Sequence, residues 1–270
     1  MKKIALTSLV AVLAVSGANA ANVIDGNPLY RPAEGHFYSV TNLGTNSYDS
    51  KTLGLGEEFG YGISDKLSIA GFASLSETEA FENSDWNSLG AIASYRFYND
   101  GAWMFDVNGG MSVAGLYTDG KRVENGWFKE DNTFYSWVAG VNGGYTSNLG
   151  TIAGHANYMY LNSEAFNWDE KADYEESHVL NLGVDAQIIV NNRWSLVGSA
   201  DYFAHLGYGN WSKDLGIWDF MFGANYSISK TMFVGGYVEK VFDHREVENA
   251  NRPWKAHEDW TVGAKFGIDF

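Results

Sequence analysis

The final eleven residues alternate without a break. Trp260, Val262, Ala264, Phe266, Ile268 and Phe270 fall on one face, and Thr261, Gly263, Lys265, Gly267 and Asp269 on the other. A period of two is that of a β-strand whose faces meet different surroundings. The pattern returns along the chain. Turn-forming clusters at 64–66, 98–101, 147–150, 190–193 and 227–230 each separate two alternating segments, as in hairpins. Longer polar stretches lie between them, at 77–86, 118–131, 163–176, 207–213 and 244–257. This rhythm predicts about twelve strands: 35–45, 50–62, 67–76, 87–97, 102–117, 132–146, 150–162, 177–189, 193–206, 214–227, 231–243 and 258–270. An even count returns both ends of the sheet to the short-turn side. A missed or false pair would make about ten or fourteen.

One face of each strand is apolar and bounded by aromatic residues. Tyr61, Phe97, Trp103, Tyr145, Trp194, Tyr226 and Phe270 lie toward the short turns. Tyr117, Tyr135, Tyr160, Tyr202, Trp218 and Trp260 lie toward the long loops. Trp260 and Phe270 are ten residues apart, as are Tyr135 and Tyr145. At ~3.3 Å per residue and a tilt near 40°, that separation spans about 25 Å along a barrel axis, the height of a lipid-facing band. A soluble sandwich or barrel also alternates, but it turns its apolar face inward and leaves a charged face to water. Here the opposite face is rich in Gly, Ser and Asn, as a lumen would be.

The beginning of the chain is of another kind. Met1-Lys-Lys3, an apolar run from Ile4 to Val15 and the small-residue site Ala18-Asn-Ala20 form a secretory signal peptide, residues 1–20. No later apolar run reaches the ~20 residues of a spanning helix, so a membrane protein of this composition must be a barrel. All three prolines, Pro28, Pro32 and Pro253, fall outside the predicted strands, where proline would remove a ladder donor. Cysteine is absent. Losing Lys2 and Lys3 takes the formal charge from −15 to −17, which argues against a nucleic-acid partner.

Taken together, the signal peptide, the twelve-strand rhythm, the two aromatic girdles and a last strand ending in Phe270 resemble bacterial outer-membrane β-barrel proteins, porin-like, over residues 35–270. The resemblance implies an all-β, transmembrane, antiparallel up-and-down barrel in the outer membrane, embedded in lipid and lipopolysaccharide. It also implies a last strand that the barrel-assembly machinery meets at Phe270. Residues 21–34, which include Asn27-Pro-Leu-Tyr-Arg-Pro32, would lie in the periplasm or fold inward as a plug.

Parity then assigns the lumen. Glu58, Arg96, Asp106, Asn108, Asn142, His155, Asn157, Asp185, Gln187, Asp201, His205, Asp219, Asn225, Glu239, Lys265 and Asp269 share the polar side. Acids outnumber Arg and Lys there by seven to two. Such an interior fits a narrow, passive, mildly cation-favouring channel for small polar or cationic solutes. The alternative is a packed interior of paired charges in a structural or receptor barrel, since twelve strands lie between filled and open barrels; the many lumen-side glycines favour the channel.

A third class is a lipid-modifying enzyme. His155 with Asn157, and Ser177-His178 at a strand start, are its candidates, but their parity points inward and no nucleophile motif accompanies them. No cofactor or resident metal is expected, because His36, His155, His178, His205, His244 and His257 have no ligand spacing. The acidic run 164–176 reads as a solvated loop, or as an oxygen site for Ca²⁺ or Mg²⁺ bridging lipopolysaccharide phosphates. Gly54-Leu-Gly56-Glu-Glu-Phe-Gly60 lacks the dinucleotide spacing and reads as lumen-side glycines.

Overall fold

The computed structural model describes residues 26–46, 53–78, 83–116, 132–166, 172–207, 216–243 and 260–270. Twelve antiparallel strands close into a barrel. They are β1 (Phe37–Asn46), β2 (Leu53–Gly62), β3 (Leu67–Thr78), β4 (Asn83–Asn99), β5 (Trp103–Leu116), β6 (Asn132–Ser147), β7 (Gly150–Phe166), β8 (Ala172–Ile189), β9 (Trp194–Gly207), β10 (Gly216–Ser227), β11 (Met232–Asp243) and β12 (Trp260–Asp269). Each strand pairs with its sequence neighbours. The seam joins β1 to β12 from Tyr38↔Asp269 to Asn46↔Thr261. Phe37 and Phe270 exchange both backbone hydrogen bonds below it, at 2.8 and 2.9 Å. No sheet edge is left open to another chain.

The short turns form because their side chains finish the backbone's hydrogen bonding. Ser64 Oγ accepts from Lys66 and Leu67 N–H; Asp100 Oδ1 from Ala102 and Trp103 N–H; Asn191 Oδ1 from Arg193 and Trp194 N–H. These are the roles for which Ser, Asp and Asn are favoured in turns. In the Asp100 turn Gly101 takes φ 92°, which a side chain would resist.

Two hairpins differ from the sequence expectation. The loops read at 77–86 and 163–176 are largely strand: β3 runs to Thr78 and β4 starts at Asn83, while β7 runs to Phe166 and β8 starts at Ala172. The sequence of these strand ends is polar and carries no apolar alternation, although the ladder continues. The signal peptide 1–20, Tyr117, Pro253, His244 and His257 lie outside the described residues.

The outer wall is apolar and bare. Phe222 is 63% exposed, Ile188 57%, Val262 55% and Trp137 53%. A soluble protein would bury such a surface; hydrocarbon accepts it. Rings pair at both rims: Trp103 with Tyr145 (centroids 5.2 Å apart), Trp194 with Tyr226 (5.0 Å) and Phe37 with Tyr61 (4.5 Å) on the short-turn side, and Tyr202 with Trp218 (4.8 Å) on the other. A bulge between Arg96 and Tyr98 inserts Phe97, so Phe97 and Tyr98 both reach the rim beside Trp103 and Phe105. A polar island interrupts the wall where Ser39 and Thr41 hydroxyls donate to Glu57 at 2.5 and 2.6 Å, satisfying both carboxylate oxygens.

Candidate functional site

The polar face of the sheet encloses the lumen, and its side chains are packed rather than bathed. Glu58, Gln187, Asp219 and Asn225 are each 3% exposed, and Asp106 is fully buried. Burying charge is costly unless each group finds a partner. Most do, in distinct layers.

The lowest layer belongs to the segment before β1. Residues 26–34 cross the lumen at its short-turn end. Gly26 approaches Val197 and Asn225 on β9 and β10. An Asx turn follows, with Leu29 N–H donating to Asn27 Oδ1 at 2.9 Å, and Leu29 is 1% exposed. The Tyr30 hydroxyl donates to Asp269 on β12 at 2.7 Å. Burial, with Asp269 alongside, pushes the Tyr30 phenol well above its usual range. Arg31 reaches Asp106 on β5 at 2.9 Å and Ser68 on β3 at 3.2 Å. Proline at 28 and 32 suits this path, because no ladder needs their missing donors. Bare glycines let it pass: a Cβ on Gly62 would lie 2.0 Å from the Ala33 carbonyl oxygen.

Arg96 on β4 completes this layer. Its Nε and Nη2 donate to the two oxygens of Asp106 at 2.9 and 3.1 Å, a bidentate pair, and Nη2 also reaches the Leu29 carbonyl at 2.5 Å. Just above, the buried Tyr38 hydroxyl donates to Glu58. Between them is a cavity of about 10 Å³ lined by Tyr30, Arg31, Tyr38, Glu58 and Ser94, on the scale of one water.

The upper layer is an arc across β7 to β11. His155 stands between two carboxylates, with Nδ1 3.0 Å from Asp185 and Nε2 2.8 Å from Asp201. A neutral imidazole has one N–H, so two such contacts require a second proton on the ring or one on a carboxyl. The ring fits because Gly183 has no side chain; a Cβ there would lie 2.3 Å from it. Asn181 donates to Asp201 at 2.9 Å, and Asn157 to Asn181 at 3.2 Å. Asp219 and Glu239 are diagonal neighbours on β10 and β11. Two carboxyl groups side by side repel unless a proton or cation sits between them, and Asp219 Oδ1 has no hydrogen-bond partner among the described residues. The Lys265 ammonium lies 4.8 Å from the Tyr237 ring centroid. Amide oxygens of Asn42, Asn108 and Asn142 also lack partners among the described residues.

The fold thus brings Arg96 to Asp106, and His155 to Asp185 and Asp201. The His205 side chain lies outside the described residues. His178 differs from expectation. It faces outward, bonded to the Tyr158 hydroxyl at 2.5 Å and beside the Tyr160 ring, because it shares the parity of the outward Leu182 and adjoins the buried Val179; the register shift beside it falls on β9, where Leu206 is skipped. Its neighbours are phenol rings rather than a nucleophile and an acid. Among the described residues, no group of three or more His, Cys, Asp or Glu could hold a metal ion. Sequence reasoning missed Tyr38, Arg31 and Asn181. The parity of Tyr38 with Val40 and Asn42 was the available signal for the first.

Comparison with known proteins gives the fold alone. No protein-family model and no curated protein matches the chain. Among solved structures it is similar to the NanC porin (TM-score 0.56, 11% identity, covering 84% of this chain and 98% of the porin). It is similar also to an outer-membrane channel from Pseudomonas putida F1 (0.56, 10%, 89% and 97%). The translocator domain of the autotransporter NalP from Neisseria meningitidis matches as well (0.54, 12%, 100% and 98%). The chain shares with these outer-membrane proteins the closed antiparallel β-barrel fold, here with a bare apolar wall and paired aromatic rims.

Proposed function

We propose that this barrel is a narrow passive channel for small cationic or polar solutes, closed at its short-turn end in the described state. The observation that carries the reading is the acidic arc. Asp185, Asp201, Asp219 and Glu239 line one side of the upper lumen, against His155 and Lys265. In a space shielded from bulk water, such an excess favours cations over anions. The outer rims would seat in lipid and lipopolysaccharide. Phe270, 59% exposed at the end of β12, is where the assembly machinery would engage.

A second reading draws on the depth of burial: a lumen this filled suits a structural or receptor barrel that conducts nothing. Planar-bilayer recording decides. The channel predicts discrete steps and, under a KCl gradient, a reversal potential on the K⁺ side. Replacing Asp219→Asn with Glu239→Gln should lower that selectivity several-fold. Silence both in the intact chain and in one lacking residues 26–33 would leave the non-conducting reading.

A further inference from the structure

The obstruction in the lower lumen has a chemistry of its own. We propose that Asp106 and Ser68 form a recognition site for a guanidinium group, filled in the described state by the chain's own Arg31. A solute bearing that group competes for the site and so displaces the 26–34 segment. Its purpose rests on the channel reading; its binding chemistry does not.

The site is built from buried wall residues. Asp106 is 0% and Ser68 6% exposed. Arg31 Nη2 meets Asp106 Oδ2 at 2.9 Å, and Nη1 donates to Ser68 Oγ at 3.2 Å. Carboxylate and hydroxyl together read a planar fork of N–H donors, the signature of guanidinium. The wall does not need Arg31. Arg96 already holds both oxygens of Asp106, so the carboxylate stays neutralised when the segment leaves. Arg31 is therefore a surplus cation on a satisfied pair. Its Nε has no partner among the described residues.

Several of the segment's ties to the wall are exchangeable: Tyr30 to Asp269, Arg96 to the Leu29 carbonyl, and Gly35 N–H to Gly62 O. Water can replace each of these polar ties at small net cost; the buried Leu29 side chain and the edge contact of Tyr30 with Tyr38 are what hold the segment besides. Gly35 joins the segment to β1 with φ 79° and nothing within 4 Å of where a Cβ would stand, which is the freedom a hinge needs. A ligand entering from above would pass the carboxylates of the upper arc and Glu58 before reaching Arg31. An internal ligand held at high effective concentration masks its own site, and the apparent affinity for an external one falls by the fraction of time the site is free.

The test is calorimetric titration of the refolded full-length chain with methylguanidinium. Arg31→Ala should bind it at least about ten-fold tighter than the unaltered chain, the fraction freed by removing the competitor. Adding Ser68→Ala should weaken that binding again, and tetramethylammonium, which has no N–H, should not substitute. Equal binding by the unaltered chain and Arg31→Ala, or binding by neither, overturns the proposal. Heat-modifiable gel mobility shows whether each variant is folded. Should Arg31→Ala misfold, a disulfide decides instead. A Cβ on Gly26 would lie 3.7 Å from Val197 Cβ, within the disulfide range, and the chain has no cysteine. Gly26→Cys with Val197→Cys should bind the probe less when oxidised than when reduced; the reduced form carries the same φ 79° strain and serves as control. No difference between the two overturns the proposal. Methylguanidinium binding without any bilayer conductance would sink the channel and leave the site standing. Conductance without differential binding would do the reverse.

Discussion

Replacing His155 with Ala tests the lumen's charge balance most sharply. The imidazole is 5% exposed and makes two contacts to carboxylates, 3.0 Å to Asp185 and 2.8 Å to Asp201. Each is charge-assisted and carries roughly 1.5–3 kcal/mol. Their joint loss leaves Asp185 and Asp201 facing each other, with Asn181 the remaining side-chain donor to Asp201. Breaking a buried pair by removing one partner costs about 3–5 kcal/mol, so the sum of the two bonds and the general experience agree. Urea unfolding in lipid vesicles, followed by the heat-modifiable band, should show that loss at an unchanged urea dependence. The decisive control repeats the change in a chain already carrying Asp185→Asn and Asp201→Asn. With no charges to strand, His155→Ala there should cost about 1 kcal/mol, the worth of an ordinary hydrogen bond. Equal costs in the two backgrounds would refute the idea that His155 neutralises these carboxylates, because a coupled group must show non-additivity.

Three further outcomes follow from other parts of the molecule. Phe222→Arg, midway along the bare wall, should destabilise the barrel by about 2–4 kcal/mol. Leu149→Arg, in a turn and 74% exposed, should change stability by no more than ~0.5 kcal/mol; equal effects would contradict the lipid band. Gly62→Ala sets a methyl 2.0 Å from the Ala33 carbonyl oxygen and should lift the 26–34 segment, so that a thiol probe labels Ser68→Cys faster than it does without that methyl. Asp100 is held below its usual value by the Trp103 and Ala102 N–H groups and the Tyr98 hydroxyl. A depressed carboxyl contributes stability that is whole above the unfolded value of ~3.9 and lost as pH falls through the folded one. A ¹³C-carboxyl titration midpoint for Asp100 at or above that of an ordinary Asp would contradict the turn geometry.

Much of the barrel was legible because its strands obey one rule. Inside lipid, a residue faces either hydrocarbon or lumen, so the parity of 260–270 put Lys265 and Asp269 on the polar face; in the structure Lys265 lies over the Tyr237 ring and Asp269 accepts from Tyr30. Where lipid ends, the rule ends: the outer stretches of β4, β7 and β8 continue the ladder, but their sequence has no apolar alternation and reads as loops. His155, Asp185 and Asp201 were each visible as lumen candidates, but their convergence depends on the register of His155↔Gly183 across a hairpin whose strand ends the sequence pattern misplaced. The 26–34 segment has no period at all. Its position is set by contacts with residues as distant in sequence as Asp269, and the run Asn27–Pro32 stood out only as a motif with no role attached.

The Tyr30–Asp269 bond joins the segment that fills the lumen to the next-to-last residue of the chain. Asp269 occupies its place only when β12 lies against β1, the pairing that closes the barrel. The obstruction therefore cannot be fastened on this side until the cylinder is shut. A half-built barrel with β1 and β12 apart would leave the segment unfastened on this side: a residue before the first strand is anchored by one in the last. In this arrangement a misregistered β12 would be detectable at Tyr30, as a phenol without its carboxylate.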